Sequence, residues 1–218
     1  DYPPEKCAEI TGIPAEEIIK AAELFGTAET ATIIYCMGIT QHTTGVDNVK
    51  SLANLAMLTG NVGREATGVD PLRGQNNVQG ACDMGGLPNV YPGYQPVTTL
   101  DSQKKFADAW NAELSDQLGR TIPEMLDGLS DGSVKALYVM GENPVQSDPD
   151  TNHVKKAFGK AELLVVQDIF MTPTARMAHV VLPGACFAEK DGTFSNTERR
   201  VTRVRKAIEP MGDARADW

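Results

Sequence analysis

The sequence predicts an α/β fold of Rossmann-like parallel sheets flanked by helices. The main observation is the rhythm of the second half, where a strand, a helix and two more strands follow one another. The run LLVVQ is apolar up to its last residue, which is typical of a strand covered on both faces. A length of 218 residues, with 41% hydrophobic and 22% charged side chains, suits a globular protein with a substantial core. The segments are a strand in VKALYVMGENP (134–144), a helix in DTNHVKKAFGKA (150–161) capped by Asp150 or Thr151, and strands in ELLVVQDIFMTPTA (162–175) and AHVVLPGACF (178–187).

The first half opens with a helix and a buried strand. Pro14 suits the first turn of a helix within residues 11–29, where apolar residues recur at helical spacing. ATIIYCMG (31–38) predicts a strand that ends at a glycine. The remaining elements are predicted helices over 46–61, 102–114 and 121–132, with a polar segment rich in Gly, Pro and Asn over 61–99.

Polar groups follow each predicted strand of the second half. In parallel sheets, ligands lie at the carboxyl ends of the strands. Gly141 would let the backbone approach a phosphate or nucleotide, or would simply form a turn. Asp168 could accept two hydrogen bonds from a base such as guanine, or could cap the next segment. The chain has neither a Walker loop nor a G-x-G-x-x-G fingerprint.

The stretch PLRGQNNVQGACDMGG (71–86) is the sharpest local feature. Loops of this length without regular structure are commonly functional or disordered, and its many amides and low charge argue against disorder. It could hold an anion, a phosphate ester or a heteroaromatic ring, or it could be a surface loop with internally satisfied amides. Its donors are Arg73, Gln75, Asn76, Asn77 and Gln79, together with backbone amides exposed at Gly74 and Gly80.

Charge argues against nucleic-acid binding. The net charge is −9, from 20 basic and 29 acidic residues, whereas nucleic-acid binding depends on neutralising phosphates. The one basic run, RRVTRVRK (199–206), fits the polar face of a strand, with a patch toward an anionic cofactor or partner subunit as the alternative. The three histidines lie far apart, and none is expected to be a metal ligand.

Cysteine usage and the chain ends point to a piece of a cytoplasmic protein. The four cysteines contain no C-x-x-C pair, which excludes a complete metal site among them and suits a reducing compartment. No apolar run reaches transmembrane length, and no signal peptide is present. The first residue is not Met, and the final polar run GDARADW (212–218) has no evident role. We therefore expect an internal segment of a longer chain.

Several blocks resemble the molybdopterin-dependent formate dehydrogenases, within the family of bis-molybdopterin guanine dinucleotide oxidoreductases. The resemblance runs from about residue 10 to Trp218. The segment containing RGQNNVQGACDMG (73–85) is the most specific part of it. The blocks LYVMGENPVQSDPD, ELLVVQDIFMTPTA and VVLPGACFAEKDGTFSNTERRVTRVRKA recur across the wider family.

The resemblance implies a role for individual residues. Arg73 and Gln75 match positions beside the metal where substrate enters, so they are the candidate catalytic residues. Asp168 is the expected reader of guanine, and Asn143 stands where relatives can have an acidic residue. The implied contacts to the two guanine dinucleotides are Met37, Gly38, Gln41 and Gly74 in the first half and Gly141, Asn143, Ser147, Gln167, Asp168, Thr172 and Gly184 in the second.

The resemblance also implies two domains, cofactors and partners. Residues 1–75 would complete one cofactor-binding α/β unit, and residues 76–218 would build most of a second one. The cofactors would be bis-molybdopterin guanine dinucleotide with molybdenum or tungsten, and a 4Fe-4S cluster. The cluster would lie in an N-terminal part outside this chain. The cysteine or selenocysteine that ligates the metal would lie outside this chain as well. The partners would be formate, electron-transfer subunits or another acceptor, and the rest of the same polypeptide.

The implied reaction is the two-electron oxidation of formate to carbon dioxide, with the electrons passed to the cluster. A related large subunit of a NADH–quinone oxidoreductase is one alternative, which the presence of Arg73 disfavours. A non-catalytic scaffold that binds cofactor is the other. The isolated chain is expected to be inactive in every case.

Overall fold

The computed structural model describes residues 2–218, which form two compact units. The first unit extends to Asn76, and the second runs from Asn77 to Trp218. Within the described residues, no helix is both long enough and apolar enough to cross a membrane. The assignment of each unit as a cofactor-binding unit stays a prediction.

The first unit combines four helices with a pair of parallel strands. Strand β1 (Thr32–Tyr35) pairs with β2 (Gly68–Pro71) in a register that joins Thr32 to Gly68 and Tyr35 to Pro71. Buried Asn61 fixes the entry to β1, because its Oδ1 accepts the backbone N–H of Ala31 at 2.9 Å. The elements are α1 (Pro4–Thr11), α2 (Ala15–Thr27), β1 (Thr32–Tyr35), α3 (Met37–Thr40), α4 (Gly45–Leu58) and β2 (Gly68–Pro71).

Two sequence expectations for this unit were wrong. The stretch 71–86, expected to lack regular structure, does not do so throughout, since its first residue ends β2, which pairs with the first strand. The first strand also stops at Tyr35, so that Met37 and Gly38 begin the short helix α3 and do not end the strand. Because β2 pairs with β1, residues 72–75 directly follow the carboxyl end of a second strand.

The second unit is built on a three-stranded parallel sheet in the order β5 (Ala136–Met140), β6 (Leu163–Asp168) and β7 (Val180–Pro183). Its register joins Val139 to Val166 and Val166 to Val181. The predicted α/β fold with a parallel sheet is confirmed. The elements are α5 (Val78–Asp83), β3 (Val90–Tyr91), β4 (Gln95–Pro96), α6 (Leu100–Trp110), α7 (Ile122–Asp131), β5 (Ala136–Met140), α8 (Pro144–Ser147), α9 (Thr151–Phe158), β6 (Leu163–Asp168), β7 (Val180–Pro183), β8 (Gly192–Ser195) and β9 (Val201–Val204).

Helices α7 and α9 pack on one face of this sheet. Both begin at defined caps: Thr121 and Glu124 form a capping box on α7, and the Asp150 side chain accepts the His153 N–H on α9. The predicted alternatives for the α9 cap are thereby resolved in favour of Asp150. The core between helices and sheet consists mainly of Leu126, Leu129, Val139, Val154, Phe158, Leu164 and Val166.

The basic run forms part of an antiparallel hairpin. Strand β8 pairs with β9, and the other described strands pair with neither of them. Arg203 lies 3.9 Å from Asp191, but both side chains are more than half exposed. An ion pair of this kind contributes little to stability. The predicted strand for this run is confirmed. A contact between the run and an anionic cofactor or a partner subunit stays a prediction.

Candidate functional site

The sheet of the second unit brings the predicted residues of that half to one edge. Because β5, β6 and β7 are parallel, their carboxyl ends at Met140, Asp168 and Pro183 lie side by side. The predicted residues follow these ends directly. They are Gly141, Asn143 and Ser147 after β5, Gln167, Asp168 and Thr172 at and after β6, and Gly184 after β7.

Gly141 lets the chain turn away from β5 without covering the edge. Its φ of 65° lies in the left-handed region, and its N–H donates to the Gln167 carbonyl at 2.9 Å. A Cβ atom at this position would meet no other atom within 4 Å. The backbone is therefore open to a close approach by a ligand on this side.

Asn143 and Thr172 organise the loops at this edge. Asn143 Oδ1 accepts the Thr174 hydroxyl at 2.7 Å and the Thr174 N–H at 3.2 Å, and Thr174 is fully buried. Asn143 Nδ2 donates to Gln146, so that this side chain joins helix α8 to the loop after β6. Thr172 Oγ1 accepts the Ala175 N–H at 3.1 Å and stabilises that loop. Both side chains hold the edge in shape, and a ligand contact by either stays a prediction.

Asp168 uses one carboxylate oxygen locally. Its Oδ1 accepts the N–H groups of Ile169 at 2.7 Å and Phe170 at 3.3 Å. Among the described residues, Oδ2 has no hydrogen-bond partner. The two sequence interpretations of Asp168 are thus compatible, because one oxygen caps the next segment while the other can accept from a ligand.

Gln167 lies at the centre of a network that also contains Asp217. This buried glutamine accepts the Tyr138 hydroxyl hydrogen at Oε1 and donates from Nε2 to the Asp217 carboxylate at 3.0 Å. Asp217 in turn accepts from the Lys190 ammonium group. The amide of Gln167 is therefore engaged by protein groups. Asp217 presents its carboxylate at the same edge as Asp168.

Asp217 is a site residue that sequence reasoning missed. The final residues return to the sheet through a parallel bridge between Gly184 and Arg215. Ala185 N–H donates to the Arg215 carbonyl at 2.8 Å, and Arg215 N–H donates to the Pro183 carbonyl at 3.1 Å. A Cβ at Gly184 would lie 3.3 Å from the Asp217 carboxylate, so that glycine gives this segment room.

The Glu189 carboxylate fastens this returning segment. Its Oε2 accepts the Cys186 N–H at 2.8 Å, and its Oε1 accepts the Met211 N–H at 2.9 Å. The Cys186 backbone hydrogen bond, with a smaller contribution from Met211, holds the pKa of Glu189 below its ordinary value of 4.5. The ionised form therefore stabilises the folded segment.

This pKa shift predicts an acid-sensitive segment. Since the folded pKa is depressed, the stabilisation is fully present above the unfolded pKa and is lost as the pH falls through the lower folded value. We expect hydrogen exchange of residues 211–217 to accelerate below a pH of about 4.5, beyond the intrinsic pH effect on exchange. Glu189→Gln should remove this extra pH dependence. An unchanged pH profile in that variant would contradict the role.

The first unit has a corresponding edge at the carboxyl ends of β1 and β2. The Leu72 N–H donates to the Tyr35 carbonyl at 2.8 Å, and Cys36 Sγ donates to the Leu72 carbonyl at 3.1 Å. These two bonds hold the chain after β1 beside the chain after β2. Met37, Gly38 and Gln41 therefore share one edge with Arg73, Gly74 and Gln75.

Gly74 lies close to the Met37 side chain at this edge. A Cβ at Gly74 would lie 3.9 Å from Met37 Sδ, which is ordinary van der Waals distance. The side chains of Arg73, Gln75 and Gln41 are exposed. An exposed guanidinium and an exposed amide, separated by one glycine, present directional donors suited to a small carboxylate.

Within the stretch 71–86, the side-chain amides are exposed to solvent only in the first part. Asn77 Oδ1 accepts the Ser195 N–H at 2.9 Å, and a Cβ at Gly80 would collide with this side chain. Buried Gln79 donates to Asp83 Oδ1 at 2.7 Å. The sequence interpretation of Gln79 as a ligand donor was therefore wrong, because its amide donates within the second unit. The contact of Asn77 uses its amide oxygen, and a donor role for this residue stays a prediction.

The histidines take part in local hydrogen bonds. His42 Nε2 lies 2.9 Å from the Gly38 carbonyl, His179 Nδ1 accepts the Leu164 N–H at 2.8 Å, and His153 Nε2 lies 3.2 Å from Asp127. Within residues 2–218, no group of three or more His, Cys, Asp or Glu side chains could hold a metal ion.

The donor set of each unit fits one end of a nucleotide cofactor. In the second unit, the Asp168 carboxylate can accept from a base such as guanine through Oδ2, and Gly141 leaves room for close backbone contact. Both oxygens of Asp217 already accept from Gln167 and Lys190. In the first unit, the edge combines exposed amides with a glycine and a guanidinium. These groups match the acceptors and donors of a base and its phosphates.

Comparison with known proteins gives a consistent result. The sequence profile of molybdopterin oxidoreductases matches residues 14–218. The chain is 60% identical over 217 residues to the F420-dependent formate dehydrogenase subunit alpha of Methanocaldococcus jannaschii, covering all of this chain and 32% of that protein. It is 49% identical over 218 residues to formate dehydrogenase H of Escherichia coli, covering 30% of it.

The chain thus spans about a third of the length of these relatives. Among solved structures, acetylene hydratase from Pelobacter acetylenicus matches 99% of this chain with a TM-score of 0.69 and 21% identity, over 32% of that protein. This likeness supports the fold alone. The predicted resemblance to formate dehydrogenases is confirmed by the two curated relatives.

Proposed function

This chain belongs to the molybdopterin oxidoreductase family, and from that premise we propose that it is an internal part of a formate dehydrogenase large subunit. The full-length subunit would oxidise formate to carbon dioxide and a proton and release two electrons. The observation that carries the proposal is the exposed Arg73–Gly74–Gln75 sequence at the carboxyl edge of β1 and β2. The two formate dehydrogenases that match the whole chain at 60% and 49% identity support it.

The two strand edges would hold the two halves of bis-molybdopterin guanine dinucleotide. Asp168 would accept from the guanine base through Oδ2, supported by Asp217 on the same edge. Gly141 would leave room for the nucleotide backbone, Gly184 would contact the cofactor beside the Asp217 segment, and Asn143 would keep the surrounding loops in place. The remaining contacts would come from Ser147, Gln167 and Thr172 in the second unit and from Met37, Gly38, Gln41 and Gly74 in the first. When bound, the molybdenum or tungsten of this cofactor supplies the acceptor for the two electrons.

Arg73 would bind and orient formate. The planar guanidinium donates two parallel hydrogen bonds to a carboxylate, and formate offers little else to bind. Gln75, two residues further on, would donate an additional hydrogen bond from its amide. The position of Arg73 directly after β2 is set by the backbone hydrogen bond from Leu72 to Tyr35, which limits its movement.

The remaining parts of the pathway lie outside these 218 residues. Electrons would pass to a 4Fe-4S cluster and then to another subunit or acceptor. Four unpaired cysteines favour a reducing compartment, and we propose a cytoplasmic location. A non-catalytic cofactor-binding scaffold is the second candidate.

The test uses the full-length subunit. We expect about one equivalent of molybdenum or tungsten by elemental analysis, together with formate-dependent reduction of an artificial dye. The isolated 218-residue chain should show no dye reduction above a protein-free control. Full metal content without formate oxidation would favour an enzyme acting on another substrate. Full metal content with no activity on any tested substrate would favour the cofactor-binding scaffold, and absence of both metal and activity would contradict both candidates.

A further inference from the structure

The residue before helix α5 holds a strand that is distant in the sequence. Asn77 has a φ of 61°, in the left-handed region that asparagine adopts more readily than most side chains. In this conformation its Oδ1 accepts the backbone N–H of Ser195 in β8 at 2.9 Å, across 118 positions of sequence. Among the described strands β8 pairs with β9 alone, so Asn77 and not a further strand protects this N–H. The bond therefore ties the start of α5 to the β8–β9 hairpin.

Gly80 leaves the space that the Asn77 side chain occupies. A Cβ at Gly80 would collide with Asn77 Oδ1, so that the amide would have to swing away from Ser195. Within a helix, alanine is normally more stabilising than glycine. Helix stability alone therefore does not explain a glycine inside α5, whereas the position of the Asn77 amide does.

The hairpin that supports Asn77 is itself fixed at its turn. The Arg199 guanidinium lies 5.5 Å from the centre of the Tyr94 ring, within the range of a cation–π contact. The Tyr94 hydroxyl accepts from Nε2 of buried Gln79 at 3.1 Å. Arg199 and Tyr94 both have a φ near 60°, a conformation that other residues than glycine keep only where their surroundings hold it. The hairpin is thus a firm support for the Asn77–Ser195 bond.

The chain just before Asn77 is also fixed at its other end. The Leu72 N–H donates to the Tyr35 carbonyl, and the Leu72 carbonyl accepts from Cys36 Sγ. Residues 73–76 therefore run between two fixed residues, Leu72 and Asn77, and each of these is held by groups of its own unit. A span that is fixed at both ends has fewer accessible conformations than one that is fixed at a single end.

We propose that Asn77 is a positioning residue, which limits the movement of Arg73 and Gln75 through the span that it ends. The inference rests on the proposed oxidation of formate, in which these two side chains bind the substrate. A fixed span keeps Arg73 in binding-competent orientations for a larger fraction of the time, and apparent affinity falls in proportion to that fraction when the bond is lost. Saturating formate restores the competent state, so loss of the bond raises KM and leaves kcat unchanged.

Two measurements on the full-length subunit test the anchor independently of activity: residue-resolved hydrogen exchange and limited trypsin digestion. Asn77→Gly keeps the left-handed conformation but loses the acceptor. Exchange of the Ser195 N–H and tryptic cleavage after Arg73 should both accelerate by ~2- to 12-fold, the range for loss of one hydrogen bond. Asn77→Asp keeps an oxygen acceptor and tolerates the same backbone conformation, so both rates should stay at the wild-type values. Unchanged rates in Asn77→Gly would overturn the proposal.

Formate kinetics test the positioning role. Gly80→Ala, which displaces the Asn77 amide, should raise KM by ~2- to 12-fold with kcat and metal content unchanged. Gly26→Ala is the matched control, because Gly26 lies in α2 with no atom within 4 Å of an added Cβ, and it should change neither constant. A lower kcat at constant KM would mean that the bond only stabilises the fold. An unchanged KM with faster Ser195 exchange would mean that it fixes the hairpin alone, and either result contradicts the proposal.

The same experiments separate this inference from the proposed function. An unmodified subunit that contains metal but does not oxidise formate would contradict the proposed function, while the exchange and cleavage rates would still decide whether Asn77 anchors residues 73–76. A wild-type subunit that oxidises formate, with the same KM in Gly80→Ala and Asn77→Gly, would contradict this inference alone.

Discussion

Replacing Arg73 by lysine in the full-length subunit is expected to lower kcat/KM for formate by roughly 10- to 150-fold. Lysine keeps the positive charge but loses the planar pair of donors. Loss of one charged hydrogen bond costs about 1.5–3 kcal/mol, which corresponds to that range in kcat/KM. Arg73→Ala removes both the charge and the donors, so its loss should be larger still.

Metal content distinguishes substrate binding from cofactor binding at Arg73. Because most predicted cofactor contacts come from other residues, metal content in Arg73→Lys should stay near the wild-type value. Arg203→Lys, on the exposed β9 hairpin, is the matched control and should leave kcat/KM unchanged. Normal turnover in Arg73→Ala would remove this residue from the site. Equal loss of metal and activity would mean that Arg73 holds the cofactor and not formate.

Asp168→Ala should weaken binding of the guanine dinucleotide. Loss of a charge-assisted hydrogen bond of about 1.5–3 kcal/mol predicts roughly 10- to 150-fold weaker binding. The measurement is cofactor occupancy of the full-length subunit when cofactor is limiting, because excess cofactor would mask the difference. The effect arises at Oδ2, since Oδ1 already accepts from Ile169 and Phe170.

A second carboxylate separates this role from local capping. Asp150 caps α9 by accepting the His153 N–H, and it was not predicted to touch the cofactor. Asp150→Ala should cost about 1 kcal/mol of folding stability without changing occupancy. If Asp168 only capped the following segment, Asp168→Ala would behave like Asp150→Ala. Full occupancy with a small loss of stability would therefore reject the guanine-reading role.

Local signals explain what could be predicted from the sequence. The strands β5, β6 and β7 have continuous apolar runs, and Asp150 is a strong N-cap residue. The edge after β6 was predictable because polar residues follow those runs immediately. Arg73 and Gln75 stood out by composition, since a single guanidinium lies among amides and glycines.

Long-range pairing explains what could not be predicted. Strand β2 has the sequence GVDP, in which glycine and proline disfavour a strand. It forms because it pairs with β1, which lies 36 positions earlier in the chain, as the pairing of Thr32 with Gly68 shows. Gln79 looked like an exposed donor, yet its partners Asp83 and Tyr94 come from the turn of α5 and from a later loop. Asp217 carries no sequence signal, because only its bridge to the sheet makes it part of the edge.

The return of Asp217 to Gln167 has a consequence for biosynthesis. These two residues are 50 positions apart, so the ribosome must add 50 more residues after Gln167 before their hydrogen bond can form. Strands β5 to β7 can pair earlier, while the nascent chain still lacks Lys190 and Asp217. The edge of the second unit is therefore incomplete during much of translation. The nucleotide binding that we propose for this edge would therefore begin only after residue 217 has left the exit tunnel.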